Sequence, residues 1–423
     1  MNLNRKAMVL AVGAALTAPG AYGQTSDKWE IYGKFYPELT HLSGTGATDA
    51  GATVATLAAT PVGTSAVINR WEMQVSNTYI GFRGERNIGR GLKAIGQLEQ
   101  SVPLDEGTVK AGSNTLIPTF GNRDSFVGLA ADWGTVRLGN MDTPFKKYGD
   151  TLGFLGVSSG NFVTANNITR KIGFGDSSAA SFNLRRANAI DFASPTFSGA
   201  QVGVQYSIGN PTEAGVGGST PANAGINPGA NRFPRVVSLG VKWEQGPLYL
   251  AAATETHFDL FGGSKSAGGG FSNSGTTAAN SRDRAVQLTA VYKIGVHSIE
   301  ADWNAKKYKE TGGTGANSFQ DYKNNAYAVI LDSRWTNQWR TALSYAKATA
   351  GSCSLVVNAC STSGLDGNLV AAGVAYSLDP STYLFGLLAR LTNGSSAGFN
   401  NTTQNVNTGE DTKQIAFGIA YSF

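Results

Sequence analysis

The sequence predicts an all-β protein, a sixteen-stranded antiparallel transmembrane β-barrel with short periplasmic turns, long extracellular loops and an inward-folded third loop. Three observations lead to this fold class. Apolar residues alternate with small or polar ones, short connections alternate with long ones, and no second run of 18 apolar residues follows the N-terminal one. The last observation excludes a helical membrane protein. A hydrophobic content of 41% with 10% aromatic residues excludes a disordered chain.

The two-residue alternation is clearest at the C-terminus. From Ile415 to Phe423 every odd position carries a large apolar or aromatic side chain, and every even position carries a small or polar one. Because successive side chains of a strand point to opposite faces, this pattern gives one apolar and one hydrated face. The pattern recurs over residues 237–243 and 298–305, where charged residues stand in mid-strand on the hydrated face.

Connection lengths distinguish a membrane barrel from a soluble β-sandwich, in which the same alternation occurs. Tight turns such as 245–247 and 294–296 alternate with long segments rich in Gly, Ser, Thr and Asn. This asymmetry is typical of bacterial outer-membrane barrels, and an even strand number lets the first strand pair with the last. The predicted strands lie near residues 28–41, 67–86, 91–100, 123–133, 135–141, 185–194, 199–209, 235–244, 248–258, 283–293, 297–307, 321–333, 338–347, 367–378, 382–392 and 413–423.

The N-terminus has the pattern of an export signal. Arg5 and Lys6 precede an uncharged apolar run over residues 7–16, and small residues follow at the expected cleavage site. The alternative is a transmembrane anchor, but a proline and a glycine interrupt the run before it reaches about 20 residues. We therefore predict a signal peptide over 1–23 and a barrel over 24–423.

Charge and cysteine content restrict the partners. Removing the signal peptide takes away two cations and no acids, so the net charge falls from +5 to +3, a bias too small to indicate nucleic-acid binding. The two cysteines, Cys353 and Cys360, lie in a Ser/Thr/Gly-rich segment and are expected to form a disulfide in the oxidising periplasm. Metal ligation is the alternative, but no histidine lies near them in the sequence.

The sequence does not predict an enzyme, a catalytic residue, a cofactor or a metal site. The three histidines, His41, His257 and His297, are far apart along the chain, and no G-x-S-x-G motif occurs. The glycines of "GERNIGRG" from Gly84 span a hairpin turn, so they indicate turn geometry and not a phosphate-binding loop.

A sixteen-stranded barrel encloses a lumen that its own wall side chains cannot fill. The longest connection, about 142–184, is expected to fold inward and narrow it, although display on the outer surface would suit the same composition. This loop contains Lys146 and Lys147 with only a few acids, among them Asp150, so it is predicted to carry constriction residues.

The chain resembles the trimeric Gram-negative porins, particularly those of β-proteobacteria. The resemblance rests on "SNTYIGFRGERNIGRGLKAIGQLE" from Ser76, "NRDSFVGLAADWGTVRLGN" from Asn122, "RRANAIDFASPTFSG" from Arg185 and the terminal "FGIAYSF". It implies a homotrimer in the outer membrane, with the third loop folded into each pore and facing basic residues on the wall. It also implies that the terminal Phe423 is a signal read by the barrel-assembly machinery.

The basic wall residues implied by the resemblance are Lys34, Arg123 and one of the pair Arg185 and Arg186, of which the alternation points Arg185 inward. Tyr79 stands where most members of the family carry a further wall arginine. The expected partners are outer-membrane lipid and lipopolysaccharide, small hydrophilic solutes and anions. The predicted function is passive diffusion with anion preference; a substrate-specific channel and a surface adhesin or receptor barrel are the alternatives.

Overall fold

A computed structural model describes residues 27–423 except 76, 105–120, 150, 158–160, 175–180, 209–234, 261–279 and 314. The predicted signal peptide therefore lies outside the described residues. No helix in the described part of the chain is long and apolar enough to cross a membrane.

The described residues form one antiparallel sheet of extended segments. These are Lys28–Phe35 (β1), Glu38–Thr45 (β2), Arg70–Gln74 (β3), Tyr79–Gly89 (β4), Leu92–Ser101 (β5), Ser125–Ala131 (β6), Gly134–Asp142 (β7), Arg185–Ala193 (β8), Ala200–Ile208 (β9), Arg235–Gln245 (β10), Leu248–Phe258 (β11), Asn280–Ile294 (β12), His297–Thr311 (β13), Phe319–Arg334 (β14), Trp339–Ala348 (β15), Ser352–Leu355 (β16), Gly367–Ser377 (β17), Thr382–Asn393 (β18) and Asp411–Ser422 (β19).

These segments make the sixteen strands of a closed barrel, which confirms the predicted fold class. β1 with β2 and β3 with β4 are each one interrupted strand, and β16 is a short loop strand that pairs with β14. The barrel closes because β19 pairs with both β1 and β2. Gly33 and Phe423 exchange two backbone hydrogen bonds of 3.0 and 3.1 Å at this seam. Closure leaves no open sheet edge in hydrocarbon.

The first strand breaks at Pro37, although the sequence predicts one continuous strand over 28–41. Proline has no N–H group and cannot donate to the ladder. Tyr36 N–H instead donates to Oγ1 of Thr78 at 2.9 Å, and the neighbouring strand is interrupted over the same stretch. The interruption lies beside the loop that enters the barrel.

The two faces of the wall differ as the alternation predicts. On β19, the outward Ile415, Phe417 and Ile419 are exposed, whereas the inward Gln414 and Ala416 are buried. Trp29, Trp133, Trp335 and Trp339 are about half exposed close to the short turns or the N-terminus, as expected for an aromatic girdle.

Candidate functional site

The connection between β7 and β8 lies inside the barrel. It contains the helices Pro144–Tyr148 (α1) and Asn166–Thr169 (α2), with a 3-10 turn at Phe154–Gly156 between them. α1 packs on β9, β10 and β11, whereas the 3-10 turn and α2 pack on β14, β15 and β17. This third loop therefore runs along the inner wall, and it is not displayed on the outer surface.

A helix cap and two wall glycines hold the start of the loop against the barrel wall. Thr143 caps α1, since its Oγ1 accepts from the Lys146 N–H at 3.3 Å. The Tyr148 ring then lies against Gly203 and Gly240, which are register partners on β9 and β10. A Cβ atom at Gly240 would come within 2.5 Å of Tyr148 Cδ2. Only glycine therefore leaves room for this ring. The seat is completed by Tyr249, whose Oη donates to the Tyr148 carbonyl at 2.7 Å.

Further hydrogen bonds hold the rest of the loop to the wall. The Leu152 N–H donates to Oε2 of Glu300 at 2.8 Å, and Asn161 Nδ2 donates to Oε1 of Glu38 at 2.8 Å. The buried Lys306 ammonium on β13 donates to the carbonyls of Thr169 at 2.6 Å and Lys171 at 2.8 Å. The loop is thus fixed from both sides of the lumen.

Lys34 is a second wall cation that contacts the loop directly. Its Nζ donates to the Gly156 carbonyl at 2.9 Å and lies 4.8 Å from the centroid of the Tyr36 ring. Among the described residues, no carboxylate oxygen lies within 4 Å of it. No described carboxylate therefore neutralises its positive charge.

Arg123, by contrast, is paired. Its Nε donates to Oε1 of Glu99, and its guanidinium lies 4.6 Å from the centroid of the Tyr79 ring. The tyrosine that stands in place of a family arginine thus supports Arg123 by a cation–π contact.

Arg185 and Lys146 share one carboxylate at the root of the loop. Arg185 lies 3.0 Å from Oδ1 of Asp142 and 2.6 Å from Oδ1 of Asp124, and Lys146 Nζ lies 2.9 Å from the same Asp142 oxygen. These two cations are therefore largely neutralised, which the sequence could not show.

Arg186 is buried, with 5% of its surface exposed. Ile190 faces outward, and counting back by twos along β8 would make Arg186 face outward too. However, the pairing of β8 shifts in register opposite Gly139, and Asn188 has a positive φ of 51°. Such a bulge interrupts the two-residue alternation and re-aims side chains next to it. Arg186 consequently pairs in register with the buried Met141. It does not lie on the open surface of the lumen.

Lys147 lies over a basic cavity between α1 and the wall. Burial lowers the pKa of Lys147, and the charge of Arg137 lowers it further. No described carboxylate oxygen lies within 4 Å of its ammonium. The cavity measures about 480 Å³ and is lined by Lys147 together with Arg137, Lys242, Glu244, Tyr148 and Tyr249. Arg137 is paired with Asp191, whereas Lys242 has no described carboxylate within that distance.

Arg340 on β15 is a wall residue near the loop that was not among those predicted from the sequence. It is paired with Asp332 at 2.6 Å and lies beside the loop, because a Cβ atom at Gly156 would be 3.7 Å from its Nη1. A signal was present: Trp339, Leu343 and Tyr345 face outward, so the alternation directs Arg340 inward.

A second cavity lies on the extracellular side of the loop. It measures about 520 Å³ and is lined mainly by amide and hydroxyl side chains, with Lys171 as the charged member of the lining. Lys171 Nζ donates to Oδ1 of Asn167 at 3.0 Å and to the Asn400 carbonyl at 3.2 Å. Burial lowers the pKa of Lys171 to about 8.

Three further predicted residues stand apart from the loop. Asp150 lies outside the described residues. Cys353 and Cys360 are joined as a disulfide in an extracellular loop. Phe423 closes the barrel seam, and its ring lies 5.5 Å from that of Phe35. In the described part of the chain, no group of His, Cys, Asp and Glu is arranged to hold a metal ion.

A closed barrel with short turns at one end, long loops at the other and a loop against its inner wall is the architecture of outer-membrane channel proteins. The chain belongs to the Gram-negative porin family, whose model matches residues 7–396. It is therefore a protein of the outer membrane.

Individual relatives match over shorter stretches. The chain is 33% identical over 129 residues to the major outer membrane protein P.IB of Neisseria gonorrhoeae, which is 30% of this chain and 31% of that protein. It is 46% identical over 68 residues to protein P.IA of Neisseria meningitidis serogroup C, 16% of each. The matched segment thus spans about a third or less of these relatives.

Solved structures match over almost the whole chain. The anion-selective porin from Comamonas acidovorans has a TM-score of 0.64 at 19% identity, covering 94% of this chain and 100% of that one. The trimer form of in-vitro folded OmpT from Vibrio cholerae has a TM-score of 0.58 at 14% identity, covering 94% and 99%. At these identities the likeness shows the fold alone.

Proposed function

We propose that this chain is a general porin, a water-filled channel for passive diffusion of small hydrophilic solutes and ions with a preference for anions. The observation that carries the proposal is Lys34, whose ammonium lies at the inward-folded loop with no described carboxylate within 4 Å. Most other wall arginines near the loop are ion-paired, so the unpaired lysine charges, among them those of Lys34 and Lys147, set the sign of the local field. A field of this sign at a narrow place favours anions.

Planar-bilayer recording of the refolded mature protein tests the proposal. Under a salt gradient, we expect stepwise conductance and a reversal potential of the sign given by anion flux. Clear cation preference would overturn the anion assignment. The absence of both conductance and liposome swelling by small sugars would overturn the channel itself and favour a receptor barrel.

A substrate-specific channel is a second candidate because of the extracellular cavity. Its amide and hydroxyl lining with a single described cation would suit a hydroxylated solute that carries a carboxylate group. Current block by such a solute that saturates with concentration would support this candidate. A linear dependence on concentration supports the general porin.

We also propose the assembly route. Residues 1–23 are removed on export, Phe423 is read by the barrel-assembly machinery, and three copies form a homotrimer in contact with lipid and lipopolysaccharide. Support comes from the export pattern, from the seam position of Phe423 and from the family. Intact mass of the protein purified from outer membranes tests the cleavage, and its oligomeric mass tests the trimer.

A further inference from the structure

A row of three basic residues crosses the outer face of the barrel at its extracellular end. Arg284, Lys307 and Lys323 are register partners on β12, β13 and β14, and all three are exposed. Neighbouring strands lie about 4.8 Å apart, so the three Cα atoms fall within about 10 Å. Among the described residues, no carboxylate oxygen lies within 4 Å of any of them.

The depth of the basic row relative to the membrane follows from the side chains on the periplasmic side of it. Leu288, Trp303 and Tyr327 form another register row on the same face. Along each strand, this row lies four positions closer to the short turns than the basic row does. Leu288 and Tyr327 are half exposed, and a row with Trp and Tyr is typical of the boundary between hydrocarbon and headgroups. At about 3.3 Å per residue the basic row lies about 13 Å further along the strands. It therefore stands in the headgroup region of the outer leaflet.

A groove is associated with the basic row. The row between the basic row and the Trp and Tyr row consists of Val286, Ala305 and Asn325, which have smaller side chains. Thr349 and Gly351 from the turn before β16, and Ser352 at the start of β16, add to the groove. The groove has a volume of about 600 Å³, and all three basic residues line it.

Like charges directly opposite each other on neighbouring strands destabilise a sheet unless an anion lies between them. We propose that this groove binds the phosphate groups of the phosphorylated glycolipid of the outer leaflet, lipopolysaccharide. Arg284, Lys307 and Lys323 supply the positive charge, and the groove holds the saccharide that carries the phosphates. The site lies outside the pore and rests on the proposed function only for its orientation in the outer membrane.

A second pair of outward cations provides a matched control. Arg390 and Lys413 are register partners on β18 and β19, also at the extracellular end and next to an exposed apolar row, Leu388 and Ile415. There, however, Asp411 lies 3.2 Å from Arg390. A carboxylate already neutralises this pair in part, so it should contribute less to phosphate binding.

The test measures binding of diphosphoryl lipid A and of its dephosphorylated form to the full mature protein by native mass spectrometry in detergent. We expect tighter binding of the phosphorylated form. The double substitution Lys307→Gln and Lys323→Gln should bind about twenty-fivefold more weakly, since each cation at an anionic lipid surface contributes about fivefold. The double substitution Arg390→Gln and Lys413→Gln should change binding much less. Equal losses in both variants, equal binding of both lipid forms, or equal binding of phosphatidylglycerol would overturn the proposal.

Bilayer conductance of the same preparations separates this site from the pore. Lys307 and Lys323 face away from the lumen, so their replacement should leave single-channel conductance and ion preference unchanged. A wild-type protein that binds the lipid but conducts no ions would contradict the porin assignment and leave the lipid site standing. A protein that conducts ions but shows no phosphate-dependent lipid binding would contradict the lipid site and leave the porin assignment standing.

Discussion

Lys34 Nζ donates to the Gly156 carbonyl across 2.9 Å, which joins the first strand of the barrel to the 3-10 turn of the inward-folded loop. The contact uses one of the three N–H donors of the ammonium group and does not neutralise its charge. A side chain far back in the sequence from the loop thus provides both an anchor and an unpaired cation where the loop meets the wall.

Replacing Lys34 should therefore reduce anion preference. For Lys34→Gln we expect the anion-to-cation permeability ratio to fall by about twofold to fivefold, because a unit charge about 4 Å from an ion contributes about 1 kcal/mol in water. Reversal potentials under a salt gradient measure this. Lys93→Gln is the control, since Lys93 is paired with Glu85 at 3.2 Å and should matter less. An unchanged ratio in Lys34→Gln would show that this cation does not face the ion path.

Removing the shared carboxylate at the root of the loop should have the opposite effect. In Asp142→Asn, Lys146 loses its ion-pair partner and Arg185 keeps only Asp124. We expect the permeability ratio to rise toward anions by about twofold. The same recordings on Asp379→Asn, in a short turn, control for a general effect of losing one acid. A shift toward cations in Asp142→Asn would mean that the freed cations lie away from the ion path.

The pKa of Lys171 predicts a pH dependence of the ion preference. With its pKa lowered to about 8 by burial, the ammonium is charged below that pH and neutral above it. Anion preference should therefore fall as the pH rises from about 7 to about 9, one pH unit on either side of this pKa. Lys171→Met should reduce the size of this step. Lys171→Arg should also reduce it while keeping the higher anion preference, because arginine remains charged throughout. A step of unchanged size in Lys171→Met would assign the titration to another group.

The parts of this molecule that the sequence reveals are those governed by local periodicity. The alternation places the strands within a few residues, because one face must meet hydrocarbon and the other water along each strand. β12, β13 and β14 run further toward the extracellular end than predicted, since polar residues such as Asn280 and Lys309 continue the backbone ladder beyond the apolar band. The break at Pro37 follows from the missing N–H group of proline, which removes a donor from the ladder.

The charge balance of the site could not be predicted in the same way. The pairs Arg123 with Glu99 and Arg137 with Asp191 depend on which strands become neighbours and in which register. Parity counted back from Ile190 does not give the position of Arg186, because a bulge lies between the two residues. Counting basic residues along the chain therefore overstates the positive charge of the wall, most of which is neutralised near the loop.

Lys306 and Lys307 are sequence neighbours on opposite faces of one strand, which makes them a matched test of loop anchoring. Lys306→Met leaves the Thr169 and Lys171 carbonyls without their donor, and an unpaired buried polar group costs about 1–3 kcal/mol. The loop should then leave the wall more often, which single-channel records would show as added current fluctuations and closures. Lys307→Met removes one positive charge from the outer face of the same strand. It should leave the open-channel current without added fluctuations or closures. Equally quiet records from both variants would show that the remaining contacts hold the loop without Lys306.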